Sequence, residues 1–436
     1  MTSATAPRAS YQRCATCGTE YSDTDASPRC VSCGGLLEVV HAPPVLRGAD
    51  LRAVFAARRS DGPGSSSGVW RYHELVMPNA GDYVVSHPEG NTPLLARDRM
   101  SSYAGVSALL LKHEGHNPTG SFKDRGMTVG VTQARRIGAR AVACASTGNT
   151  SASLAAYAAQ AGIPALVFVP AGQVATGKLA QSLAYGARTL LVKGDFDACL
   201  SLVQEASERL SIYLLNSINP FRIEGQKTIA IEALEQLGWD APDWLVLPAG
   251  NLGNTAAFGK ALREVHEVGL IDRMPRIAAI QAEGAAPFAS SYRDEFTTRP
   301  KVRAETVATA IKIGDPASFD RAVQAIRSTN GVVTTVTDAE ILDAKAVVDA
   351  SGVGCEPASA AGVAGVRRLV KEGLIRPSDR VVAVLTGHVL KDPGALLRYH
   401  QELEPQPQFA NPPVEIEPTL DAVERVLDAY VRQLTA

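Results

Sequence analysis

The sequence predicts an α/β protein with two open sheets built from parallel strand and helix units, preceded by a small cysteine ribbon. Three observations carry this. From about Ala141 onward, short apolar runs alternate with helical patterns, the rhythm of successive strand and helix units. Four cysteines cluster within the first 45 residues. The length, 436 residues, exceeds the size at which one core stops growing, so two domains and a small appendage are expected.

The ribbon comes first. Cys14, Cys17, Cys30 and Cys33 form a C-x2-C-x12-C-x2-C array with Gly18 and Gly34 just beyond each pair. This spacing lets two tight turns aim four thiolates at one tetrahedral metal, and zinc is the natural occupant in a cytosolic chain. An empty remnant of such a ribbon, or two redox pairs, are the alternatives. Up to Pro44 the segment carries only Arg8, Arg13 and Arg29 against Glu20, Asp23, Asp25 and Glu38, which argues for a structural or docking role rather than nucleic-acid binding.

The stretch DGPGSSSG, residues 61–68, is a flexible loop by composition. The strand and helix rhythm then runs through AVACA, NTSASLAAYAAQAG, PALVFVP, ATGKLAQSLAYGA, RTLLV and DFDACLSLVQEASERL. It returns in DWLVLPAG, NTAAFGKALREVHEVG, RIAAIQAEG, RVVAVLTGH and PGALLRYHQEL. In the tail, Leu420, Val423, Leu427, Tyr430, Val431 and Leu434 fall at helical spacing and predict a packed amphipathic helix or a subunit contact.

Bulk composition excludes several classes. With 43 basic against 45 acidic residues and a net charge of -2, nothing points to a nucleic-acid or membrane partner. The N-terminus lacks an apolar signal core, and the most apolar long stretch, residues 155–172, is broken by Gln160, Pro164 and Pro170. Cys144, Cys199 and Cys355 stand singly among apolar or small residues, where buried reduced thiols are the default, so a cytoplasmic location is expected.

The candidate chemistry lies at strand ends, where helix N-termini present free N–H groups to ligands. HEGHNPTGSFKDRGM sets Lys123 in a Pro-Thr-Gly-Ser turn; alone it reads as a solvated loop lysine. ASTGNTSAS offers Ser146, Thr147, Asn149 and Thr150 to an anion, or simply caps a helix. PAGNLGNT has the build of a phosphate cradle, with Gly250 and Gly253 permitting close backbone approach, but fits neither nucleotide fingerprint. LTGHVLKDP leaves Thr386 at a strand tip, and NSINPFRIEGQK lets Asn216, Ser217 and Arg222 converge on a second anion. Pyridoxal 5'-phosphate needs such a set: a lysine for its aldehyde, a phosphate cradle, and a hydroxyl at its ring nitrogen.

At this point the sequence resembles the threonine synthase family, within the fold type II pyridoxal-phosphate enzymes that include tryptophan synthase β and the serine/threonine dehydratases. The resemblance covers roughly residues 70–400 through NPTGSFKDRGM, STGNTSAS, PAGNLGN, LTGH, NSINPFRIEGQKT, WRYHEL and EGNTPL, with Pro88 where the family has glycine. It implies Lys123 as the Schiff-base lysine and Asn149, Gly250, Asn251, Leu252, Gly253, Asn254 and Thr386 as cofactor-binding. It implies Ser146, Thr147 and Thr150 for the substrate carboxylate and Asn216, Ser217 and Arg222 for the substrate phosphate. The implied reaction converts O-phospho-L-homoserine and water to L-threonine and phosphate. A cysteate synthase-like β-replacement or a dehydratase is the alternative.

The expected organisation is a ribbon over 1–45, a large cofactor-binding domain over 46–127 and 217–405, a small mobile domain over 128–216 and a helical tail over 406–436. Its partner is a small phosphorylated amino acid, and a homodimer is the expected assembly.

Overall fold

The computed structural model describes residues 9–59, 67–172, 176–194 and 196–435. Most of the 61–68 loop lies outside the described residues. The chain forms two compact units, one up to Asp392 and one over Pro393–Ala436. The second contains the helices Pro393–Gln401 and Leu420–Thr435. Among the described residues no helix is long and apolar enough to cross a membrane.

Three sheets make up the first unit. Strands β1 (Ser10–Cys14), β2 (Glu20–Ser22) and β3 (Leu37–His41) form the antiparallel ribbon, in the order β2-β1-β3. The larger sheet uses β4 (Leu94–Ala96), β5 (Ala108–His113), β10 (Trp244–Pro248), β11 (Arg276–Ala282), β12 (Val332–Val336) and β13 (Arg380–Leu385). Its order is β12-β11-β10-β13-β5-β4, parallel except for the β4 edge. The smaller sheet, β8-β7-β6-β9, is wholly parallel and comes from one continuous stretch: β6 (Ala141–Ala145), β7 (Ala165–Pro170), β8 (Arg188–Val192) and β9 (Ile212–Leu214). Every residue of β6 and of β10 is buried, as strands covered by helices on both faces require. Both open α/β sheets expected from the strand and helix rhythm are therefore present.

Polar chemistry also fixes the core beside the lysine motif. Glu232, fully buried, accepts from Lys112 at 2.6 Å and Arg125 at 2.8 Å, while Arg125 also pairs with Glu114 at 2.7 Å. Burial opposes the charge on Glu232, but Arg125 and then Lys112 outweigh it and hold the carboxyl below its usual range. Burial pulls Lys112 down whereas Arg125 is raised. With charge-assisted contacts this short, the charged network is the consistent state.

Glu232→Gln leaves the buried Lys112 ammonium without a carboxylate and Arg125 with Glu114 alone, so a stability loss of about 3–5 kcal/mol is expected in denaturant titration. Because the folded carboxyl titrates below its unfolded value, its contribution is fully present above the unfolded pKa, 4.5, and is lost as pH falls through the folded one. Wild type should therefore lose stability on acidification below that point more steeply than Glu232→Gln.

Candidate active site

Lys123 opens the helix Lys123–Arg136, and two sets of contacts fix its position. Asp124 accepts from the Thr119 N–H at 2.7 Å, the Thr119 hydroxyl at 2.6 Å and the Ser153 hydroxyl at 2.6 Å, tying the turn to the helix Asn149–Ala161. The same turn is stitched to the end of β13: Phe122 N–H donates to the Thr386 carbonyl at 3.0 Å and His388 N–H to the Gly120 carbonyl at 2.9 Å. Gly120 has φ +83°, a left-handed conformation that calls for glycine.

A cavity of about 1390 Å³ lies at these strand ends. It is lined by Lys123, by Ser146, Thr147, Asn149 and Thr150 after β6, and by Asn216 and Ser217 after β9. Gly250, Asn251, Leu252, Gly253 and Asn254 after β10, and Thr386 after β13, complete that wall. Carboxyl ends of parallel strands from both sheets thus meet in one space.

Lys123 is partly exposed, and its exposure is to this cavity. Its ammonium stands 4.1 Å from the Phe122 ring centroid. Burial, and then the Arg222 guanidinium, pull its pKa down to about 7 against an upward pull from Glu356. A lysine so placed is an amine nucleophile and base near neutrality.

The loop after β10 suits a phosphate. Leu252 takes φ +63° and Gly253 starts a helix, whose first N–H groups have no partner within it. A Cβ on Gly250 would come within 2.8 Å of the Ile311 backbone, so the loop passes too close to that segment for a side chain. Thr255 Oγ1 and Asn254 Oδ1 are buried without a hydrogen-bond partner among the described residues. Gly253 and Asn254 line the cavity, and the helix-start N–H groups there fit an anion that the chain itself does not supply. The residues present therefore fit pyridoxal phosphate.

The second expected anion group is assembled differently from its reading in the sequence. Asn216 spends its amide on both backbone groups of Ala145, at 3.0 and 3.2 Å, which fixes the end of β6. Ser217 accepts from Asn251 at 2.7 Å, leaving its hydroxyl hydrogen to donate. Arg222 does not line the cavity. Its side chain is buried behind the wall, where Nη1 donates to the Leu215 carbonyl at 3.0 Å while Nε and Nη2 have no partner among the described residues. Its helix, Pro220–Gln226, is capped by Asn219 and packs on the lysine helix, which draws the guanidinium inward.

Glu356 escapes sequence reading. It lines the cavity, accepts from Asn149 Nδ2 at 2.9 Å and from the Thr386 hydroxyl at 3.0 Å, and so ties together the two groups expected at the cofactor ring. Burial raises its pKa, against the hydrogen bonds from Asn149 and Thr386. Its only sequence signal was a carboxylate just before the helix-opening Pro357, which reads as an ordinary helix start.

At the ribbon, the Sγ atoms of Cys14, Cys17, Cys30 and Cys33 lie within 4.8 Å of one another. Separations of 3.5 Å for Cys14 to Cys33 and 3.6 Å for Cys17 to Cys30 are close to the roughly 3.8 Å edge of a tetrahedron with Zn–S bonds of about 2.3 Å. The donor set fits one tetrahedral metal.

A desolvated lysine, a glycine-rich loop at a helix N-terminus and a strand-tip hydroxyl around one cavity suit pyridoxal phosphate. Residues 85–387 match the model of the family described as pyridoxal-phosphate dependent enzyme, and the chain belongs to that family. Within it, the chain is similar to threonine synthases. It is 44% identical over 418 residues to that of Methanocaldococcus jannaschii, covering 95% of this chain and 99% of the relative. Identity to the threonine synthase of Methanosarcina acetivorans is likewise 44%, over 96% of this chain and 98% of the relative. The solved threonine synthase of Escherichia coli shares the fold at a TM-score of 0.67 and 18% identity, covering 96% of this chain and all of that one.

Proposed function

We propose that the chain converts O-phospho-L-homoserine and water into L-threonine and inorganic phosphate. The observation that carries the reading is that the glycine-rich Gly250 loop and the Ser217 hydroxyl, suited to two separate anions, line one cavity with a desolvated lysine. Near full-length likeness to threonine synthases supports the same substrate.

A bound pyridoxal phosphate would supply an electron sink for the Cα–H bond of an amino acid attached to it. Lys123 would be the residue that holds the cofactor, and its side chain, an amine brought down to a pKa of about 7, would move the Cα proton of the substrate. Gly250, Asn251, Leu252, Gly253 and Asn254 would cradle the cofactor phosphate, and Asn149 and Thr386 would hold its ring. Ser146, Thr147 and Thr150 take the substrate carboxylate. Ser217 donates to the substrate phosphate, Asn216 holds the adjoining strand end in place, and Arg222 supplies positive charge from behind. In the net reaction a proton leaves Cβ, the Cγ–O bond breaks with phosphate taking the electron pair, water adds hydroxyl at Cβ and Cγ gains a proton.

A β-replacement on O-phosphoserine would use the same groups, whereas a dehydratase has no use for the second anion face. Offering O-phosphohomoserine, O-phosphoserine with sulfite, and threonine separately decides among them. Threonine and phosphate from the first alone is the expected result.

Glu356 acts as a positioning residue in this reading. Glu356→Ala removes the acceptor shared by Asn149 and Thr386, leaving Thr386 with Ser359 at 3.0 Å, and should lower kcat/KM by about a hundredfold, the scale of a small misplacement of reacting groups. Glu356→Gln, which keeps an acceptor, should lose less than about tenfold. Equal losses from both, or none from Ala, would remove Glu356 from the site.

We further propose that residues 128–216 close as a smaller domain when substrate bridges the residue 146–150 loop and the Gly250 loop. Crystals with and without a substrate analogue should differ in that angle, and identical angles would refute closure. The ribbon metal is proposed to be zinc, with elemental analysis expected to find one per chain. The homodimer is proposed on the exposed Leu420, Val423 and Leu427 of the tail helix, and sedimentation showing only monomer would overturn it.

A further inference from the structure

The cysteine ribbon is fastened to the helices that carry the site. Asp23 pairs with Arg136 at 2.9 Å and accepts from Asn79 at 2.6 Å, and its carbonyl accepts from Gln133 at 2.6 Å. His41 meets Glu224 at 3.2 Å, and Lys260 donates to the Val39 carbonyl at 2.5 Å. These contacts anchor the ribbon on the helices Lys123–Arg136, Pro220–Gln226 and Gly253–Glu267.

Its second cysteine turn does something else. Cys33, Gly34, Gly35 and Leu36 line the same cavity as Lys123. Leu36 packs against an apolar cluster that contains Ala145 and Ile218, the residues immediately before Ser146 and after Ser217. Ala317 packs on that cluster too, and its N–H donates to Asn251 Oδ1 at 2.6 Å, while Asn251 Nδ2 donates to Ser217 at 2.7 Å. One apolar cluster therefore seats the ribbon turn, the strand ends before Ser146 and Ser217, and the segment that orients Asn251.

The turn is closed by backbone bonds, Cys30 N–H to the Gly35 carbonyl and Gly34 N–H to the Cys30 carbonyl, both at 2.8 Å, but it has little apolar packing of its own. The ribbon's apolar cluster is Cys14, Cys30 and Leu37 with Tyr21 against them, and two of those are metal-ligand candidates. A core this small relies on a metal for a fixed shape. We infer that the second cysteine turn is a clamp on the anion-binding rim, with Leu36 as its positioning residue, so that metal loading of the ribbon sets the affinity of the cavity for phosphate-bearing ligands.

This inference rests on the proposed function for its substrate but not for its test. In the cofactor-loaded enzyme, the dissociation constant of inorganic phosphate is measured by calorimetry beside KM and kcat for O-phosphohomoserine, the cofactor absorbance, and the metal content. Leu36→Ala keeps all four thiols and should retain metal, cofactor absorbance and kcat while weakening phosphate binding and raising KM by about tenfold. Stripping metal from wild type with a chelator should do the same, and stripping Leu36→Ala should add little, because both act through one turn. Leu36→Met, similar in volume, should bind phosphate as wild type does. Unchanged phosphate affinity in stripped wild type overturns the inference even if Leu36→Ala does not fold. Loss of cofactor with unchanged phosphate affinity overturns it as well. Wild type that binds phosphate but does not turn over O-phosphohomoserine refutes the proposed function, while the phosphate comparison still decides the clamp.

Discussion

Lys123→Ala is expected to reduce threonine formation by at least about a thousandfold, because it removes both the attachment point and the base, and a positioned base alone is worth about 10²–10⁴. The fold should survive, since the Lys123 side chain faces the cavity and its helix is held through Asp124 and Arg125. Borohydride reduction of the loaded wild type should place the label on the peptide containing Lys123. Lys112 is the informative control: it is fully buried against Glu232, so a label there would contradict the site. The pH dependence follows from the depressed pKa. In cofactor-free enzyme, the rate of attachment should rise with pH through a midpoint of about 7 and then level off, since the reactive amine is the deprotonated form above that value. A rate still climbing near the ordinary lysine range would show that Lys123 is not desolvated.

Arg222→Ala is the second large effect, and the buried position of Arg222 makes it a double one. The guanidinium is the second-largest cause of the low Lys123 pKa, after burial, and opposes protonation of that amine, so its removal should move the attachment midpoint upward. Its two unpartnered donors lie buried behind the cavity wall, so it can favour a substrate phosphate only through its field in that low-dielectric wall, and the preference for O-phosphohomoserine over homoserine should fall by roughly tenfold, less than a direct charged contact would give. Arg222→Lys should restore the electrostatic effect better than the substrate preference, because an ammonium lacks the planar fork. The rate of cofactor attachment to cofactor-free enzyme at several pH values, with kinetics of the loaded enzyme on both substrates, separates the two. An unchanged midpoint and an unchanged preference would leave Arg222 a packing residue only.

The alternation of apolar and helical stretches was enough to expect both α/β sheets, and the lysine motif, the residue 146–150 loop, the Gly250 loop and Thr386 all come to one cavity. What the sequence hid has physical reasons. The strand β5, which delivers the lysine turn, runs into the polar motif through Lys112 and His113, and those side chains pass for solvated when the buried Glu232 that pairs with Lys112 lies far along the chain. β9 has three residues, too few to display a period. Arg222 was placed on the ligand by its motif, but direction depends on packing between two helices, which spacing does not encode. Glu356 is distant in sequence from Asn149 and Thr386, and only the tertiary fold joins them. The ribbon's cysteines were plain, yet nothing local indicates that Leu36 reaches the cavity.

The measurement that tests the central claim most directly is turnover of O-phospho-L-homoserine in water enriched in oxygen-18, with both products analysed by mass spectrometry. Elimination at Cγ followed by addition of water at Cβ breaks the carbon–oxygen bond, so L-threonine should carry one heavy oxygen in its hydroxyl and the released phosphate none. Heavy oxygen in the phosphate with homoserine as the other product, or phosphate release without threonine, would contradict it.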